Sequence, residues 1–317
     1  MGCFNSKDNT TDPSEVRNLS DTKVLAMKNF SIVHKQDNKG VVARDGNIVA
    51  GNAILVRAKD SNVRSLHHYY RIKKVTAADI QNSTGQSVTN GINLWNELLN
   101  ETHELSGVKL NNEYLVKVVA SFETGAFTYI QMENFRQNFH QFRQATQDKF
   151  NAKYVVDATQ FMIGICRALS FMHGMHCYHR NVSSTTCVIV DCHGKMVAKL
   201  CGLETAVKIY DDEISQSELK SLDILRAGVV AFELYKGPRI DPLEEIPPNA
   251  ARNGLAMQSV LNEINRIGWE GAFIDACESC YDDLNLASVV RAMIFGKPVQ
   301  PSAYELYTQI LNKKSRM

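Results

Sequence analysis

Between Cys177 and Ile209 the chain gathers polar side chains at spacings that suit chemistry, yet the acids that chemistry needs are scarce. His179-Arg180-Asn181 opens the stretch, Thr186 closes its polar part, and Gly202-Leu203-Glu204 follows an apolar interval. The amide of Asn181 takes up no proton near neutral pH, so it can orient a hydroxyl but cannot serve as a general base. Thr186 is a poorer ligand for a hard cation than a carboxamide oxygen. Gly202 offers a metal no side chain, and Glu204, two places on, is a carboxylate able to turn inward.

The elements around these residues can be read from periodicity. Cys187–Asp191 is an apolar strand, His193-Gly194-Lys195 a turn, and Val197–Leu200 the returning strand. Before them, Val155, Ala158, Phe161, Met162, Ile165, Leu169 and Met172 form a helical stripe that leads into His173. Leu219–Tyr235 is a long apolar helix containing Asp223. Toward the N-terminus, Ala53–Asp60 and Tyr69–Val75 read as strands, the second carrying Lys73. Ile92, Trp95, Leu98, Leu99, Thr102 and Leu105 have helical spacing, and Leu115–Ala120 and Thr128–Met132 are further strands. Ser61–Ser65, Gln81–Asn90 and Asp241–Gly254 read as loops.

Taken together, these motifs resemble the protein-kinase family from about residue 40 to about residue 313. The family's His-Arg-Asp-x-x-x-x-Asn pattern is matched by His179 through Thr186, with Asn181 at the Asp position and Thr186 at the Asn position. Gly202-Leu203-Glu204 stands where Asp-Phe-Gly would. Kinases use those missing groups to accept the substrate proton and to hold magnesium. The chain therefore resembles a degenerate member, a pseudokinase. The implied fold is α+β and bilobal: a small β-rich lobe (25–133) with one regulatory helix, and a larger, mainly helical lobe (134–317).

The resemblance implies further roles. Lys73 takes the place of the phosphate-contacting lysine. Gly51 is the single glycine left in the phosphate loop, where the lost glycines would have let the backbone approach phosphates. Glu101 is the first choice for the helix glutamate that pairs with Lys73, Glu97 the second, and an exposed Glu-rich face is the plain alternative. Met132-Glu133-Asn134-Phe135 is similar to the hinge, so Met132, Glu133 and Phe135 are nucleotide-contact candidates. His179, Arg180, Leu203 and Asp223 are retained structural positions, with Asp223 expected to cap the loop backbone. The stretch from Glu204 to Asp223 is short and lacks Ala-Pro-Glu, while Gln300 replaces the arginine that would pair with that motif. Arg180 is expected to hold Glu204 or an acid of Asp211-Asp212-Glu213. Gln300-Pro301-Ser302 through Leu306 resembles the start of the family's last helix.

With 317 residues, 44% of them hydrophobic, the chain suits one two-lobed domain. A net charge of +1 argues against nucleic-acid binding by bulk electrostatics. Eight cysteines without a disulfide framework fit a reducing cytosol, and Cys277-x-x-Cys280 reads as two buried thiols. Met1-Gly2-Cys3-Phe4-Asn5-Ser6 matches the N-myristoylation pattern at Gly2, and Cys3 is a palmitoylation candidate. Residues 1–24 read as a polar tether. The expectation is a protein on the cytoplasmic face of the plasma membrane, held through acyl chains. It would act as a scaffold or allosteric regulator of a protein partner such as an active kinase. It would require no cofactor, with weak ATP binding and no magnesium. The alternatives are a divergent active kinase using Lys73 with Asp191 or Glu204 as an unusual metal ligand, and a non-catalytic nucleotide switch.

Overall fold

Strand alternation and helical stripes set the architecture of the computed structural model, which describes residues 30–32, 49–50, 53–58, 69–84, 87–105, 108–124, 127–145, 152–236, 292–293 and 301–314. The α+β class expected from the sequence holds. Gly2, Cys3, Gly51, Cys277 and Cys280 lie outside the described residues.

The chain begins with β1 (Phe30–Ile32), β2 (Val49–Ala50), β3 (Ala53–Ala58) and β4 (Tyr69–Thr76). Two helices follow, α1 (Ala77–Thr84) and α2 (Val88–Asn100), then a hairpin of β5 (Thr102–Leu105) and β6 (Val108–Asn111). Strands β7 (Val118–Thr124) and β8 (Phe127–Glu133) complete an antiparallel sheet in the order β1-β3-β4-β8-β7, with β2 also on β3. Its register sets Lys73 opposite Ala53 on one side and Ile130 on the other. Val56, Ile72 and Tyr129 cluster on one face, while Ala53, Val75, Ile130 and Met132 join the main core on the other. Alternation places Arg71 and Lys73 on the same side as Val75, toward that core.

Next come β9 (Gln137–Asn138), α3 (Phe139–Ala145), the long α4 (Ala152–Gly174) and β10 (Cys177–Tyr178). The hairpin β11 (Cys187–Cys192) and β12 (Lys195–Leu200) turns through His193 and Gly194, both at positive φ (55° and 81°). That is the backbone a two-residue hairpin loop requires. The Asp191 carboxylate accepts from the Gly194 amide at 2.7 Å and fixes the turn. After β13 (Val207–Lys208), α5 (Glu213–Lys236) and α6 (Ala303–Lys314) finish the described fold. Ser302 and Glu305 form a reciprocal capping box at the start of α6.

The stripe on α4 is buried at Ala158, Phe161, Met162, Ile165, Leu169 and Met172, as its spacing predicts. Two expectations are corrected. Residues 77–84 and 88–90 are helical, although 81–90 reads as a loop; Ser87 caps α2 by accepting from the Asn90 amide at 3.2 Å. The α2 helix also stops at Asn100, and Thr102 and Leu105 lie on β5. Spacing alone could not see that stop, because the pairing of β5 with β6 takes over the backbone hydrogen bonds.

Candidate functional site

The loop after β10 is built on one buried carboxylate. Asp223, fully buried on α5, accepts the His179 amide at 2.8 Å and the Arg180 amide at 2.7 Å. It also contacts His173 Nε2 at 3.1 Å. Burial alone would raise its pKa, but the hydrogen bond from His173 and the charges and amide around it hold it below the ordinary value. These bonds support the turn that puts Arg180 at φ 69°.

His179 carries the support onward. The Asn181 amide donates to its Nδ1 at 3.2 Å, so Nε2 bears the proton and donates to the Cys201 carbonyl at 2.9 Å. Burial lowers the pKa of this imidazole, against the opposing pull of Asp223 and the Cys201 carbonyl. Thr205 then donates within reach of both the His179 and Gly202 carbonyls, at 3.1 and 3.0 Å. The 179–181 and 202–205 segments are thus fastened together.

The positions that the sequence resemblance assigns to magnesium ligands carry a threonine and a glycine. The Thr186 hydroxyl is engaged within its own loop, with the Asn181 carbonyl at 2.9 Å and the Ser183 amide at 2.9 Å. Gly202 sits at φ 88°, and a Cβ added there would lie 3.0 Å from the Thr186 methyl. The two positions pack against each other, leaving neither able to present an oxygen of a carboxylate or carboxamide. Asp191 is at the far end of β11, four residues from Cys187, or roughly 13 Å along the strand. Among the described residues no group of three or more His, Cys, Asp or Glu is placed to hold a metal ion.

Lys73 is paired, but not with the helix glutamate. Its ammonium forms a direct ion pair and hydrogen bond with Glu204, whose side chain is 1% exposed against 16% for the lysine. Burial works against the charged lysine, but the adjacent Glu204 carboxylate more than offsets it and raises its pKa. Glu101 follows the end of α2, is exposed, and is not the partner of Lys73. Glu97 pairs instead with Lys208 on β13. Nor does Glu204 answer Arg180, since its Oε1 is on Lys73 and its Oε2 is buried without a hydrogen-bond partner.

Helix α2 holds this arrangement from above. Gly91 lies so close to the 203–205 turn that a Cβ would come within 2.8 Å of the Glu204 Cα and nearer still to its carbonyl oxygen. Trp95, fully buried, donates from Nε1 to the Val116 carbonyl at 2.9 Å and fixes the helix lengthwise. Leu203 is fully buried in the same core.

The remaining candidates are engaged in the scaffold. Met132 is a buried core residue of β8. The Glu133 carboxylate accepts from Lys199 Nζ at 2.7 Å and from the Lys117 amide at 2.8 Å, so it ties the large sheet to β12. Phe135 is buried, and its carbonyl receives Arg71 Nη2 at 2.8 Å and Nε at 3.1 Å. Arg71 and Lys199 were not singled out from the sequence. The period-2 alternation that aims Lys73 inward aims Arg71 inward too, a signal that was present. No protein-family model matches this chain, and no curated protein matches its sequence.

Proposed function

We propose that this chain is a pseudokinase: a two-lobed, protein-kinase-like domain that works by binding another signalling protein and does not transfer phosphate. Residues 25–133 form its small lobe and 134–317 its large one. An acylated tether, 1–24, carries it on the cytosolic leaflet of the plasma membrane. One observation carries the reading. The positions that the resemblance assigns to the proton-accepting Asp and the metal-binding Asp hold Asn181 and Gly202, and the acid that meets Lys73 comes from Glu204 and not from the helix. Phosphoryl transfer is mostly positioning and charge stabilisation, and the side chains at the matching positions here supply neither a base nor a metal-binding acid. An active kinase is the favoured partner, because a kinase-like surface can bias the conformation of a true kinase.

The test is transfer of labelled phosphate from ATP, with magnesium or manganese, by the purified full chain to itself and to generic protein substrates. Wild type and Lys73→Met should be indistinguishable from background. Transfer that Lys73→Met abolishes overturns the reading.

A further inference from the structure

Glu204 occupies an unusual place for an acid. Its carboxylate contacts the Lys73 ammonium, its second oxygen is buried without a hydrogen-bond partner, and its backbone is clamped. The clamp has two sides: Gly91 of α2 presses on the Glu204 main chain, and Thr205 is bonded to the His179 and Gly202 carbonyls. The main chain that carries the carboxylate therefore has little freedom to withdraw. We propose that Glu204 is an internal competitor for anions at Lys73, so that the protein as built turns away nucleoside polyphosphates and gains them when the Glu204 charge is removed.

The inference rests on the pseudokinase reading for two points, that Lys73 faces the phosphates of a bound nucleotide and that Thr186 and Gly202 stand at the magnesium positions. The rest is electrostatics. A phosphate approaching Lys73 meets an ammonium already held by a buried carboxylate, and must share it against the Glu204 charge or displace it. Displacing Glu204 would leave a carboxylate buried and unpaired, which is strongly unfavourable. With no fitting magnesium ligands at Thr186 and Gly202, no cation offsets the repulsion between Glu204 and the incoming phosphates. A site competent only when Glu204 lets go has its apparent affinity reduced by the fraction of time it is competent.

The experiment uses the full chain as wild type, Glu204→Gln, Glu204→Asp and Lys73→Met/Glu204→Gln. Binding of ATP and of sodium tripolyphosphate is read by calorimetry and thermal shift, with and without magnesium. Glu204→Gln should bind both anions at least about tenfold more tightly than wild type, and the added Lys73→Met should erase the gain. Glu204→Asp keeps the charge on a shorter arm, so it should show a smaller gain, and it decides the matter if the Gln variant does not fold. Equal behaviour of wild type and the Glu204 variants, binding or not, overturns the inference, as does a gain that survives loss of Lys73. Phosphate transfer by wild type would instead overturn the pseudokinase reading, so the two failures are distinguishable.

Discussion

His179 is held neutral by what surrounds it: an amide donating to Nδ1, a carbonyl accepting from Nε2, and complete burial. Asp223, Glu204 and Lys73 are the charged groups that act on it. The sign of the pH dependence follows. An unfolded histidine takes up a proton near pH 6.5, whereas the folded one, its pKa lowered, does not until the pH is lower. Between those values the unfolded chain binds more protons, so stability present above about pH 6.5 is lost as pH falls toward the folded value. Asp223 adds a second loss below about pH 4, because its folded pKa is also depressed. Urea unfolding at pH 7.5, 6.5 and 5.5 should therefore show decreasing stability, with His179 contributing at most about 1.4 kcal/mol per pH unit. Substituting His179→Gln should flatten that slope, and a slope unchanged in the variant would show that another group is responsible.

The contact between α2 and the 203–205 turn gives an element-scale test, because two effects there oppose each other. An alanine in a helix interior is favoured over glycine by about 1 kcal/mol. At Gly91 the added methyl would overlap the Glu204 main chain, and overpacking a filled site costs about 1–3 kcal/mol. Because the obstacle is backbone fixed by Thr205, packing should win, and Gly91→Ala should destabilise the protein by up to about 2 kcal/mol in denaturant titration. A stabilised variant would mean that α2 does not seat as described. The glycine also shows where sequence legibility ended. The stripe on α4 and the β11–β12 hairpin were readable because each is a local pattern with its own periodicity or turn chemistry. The end of α2 was not, since Thr102 and Leu105 satisfy helical spacing while β6 recruits them into a hairpin. Likewise, the candidate site was legible from the sequence only as a resemblance in which Asn181 and Gly202 stand where acids would and Thr186 where an asparagine would. The Lys73–Glu204 pair was not, because it joins residues 131 positions apart through a helix approach that only a glycine permits.

For the whole molecule, the proposed role depends on where the domain is held. Among the described residues no helix is long and apolar enough to cross a membrane, and the proposed attachment is through Gly2 and Cys3. A single myristoyl chain supports an association constant of only about 10⁴ M⁻¹, and stable residence takes a second signal. Electrostatics cannot supply it, because Lys7, Arg17 and Lys23 are outnumbered in this segment by Asp8, Asp12, Glu15 and Asp21. In the proposed arrangement the second signal is an acyl chain on Cys3, and the two sites should then differ in a graded way. Gly2→Ala removes the first chain, and with it the weak membrane sampling that lets Cys3 meet an acyltransferase, so the protein should become fully soluble on fractionation. Cys3→Ser keeps myristate alone and should divide between membrane and supernatant, shifting toward the membrane as lipid concentration rises through roughly 10⁻⁴ M. Raising the salt to 0.5 M should leave both distributions in place, because charge contributes little. Full retention of Gly2→Ala on membranes would place the attachment elsewhere in the chain, and release of wild type by salt would assign it to basic residues instead of acyl chains.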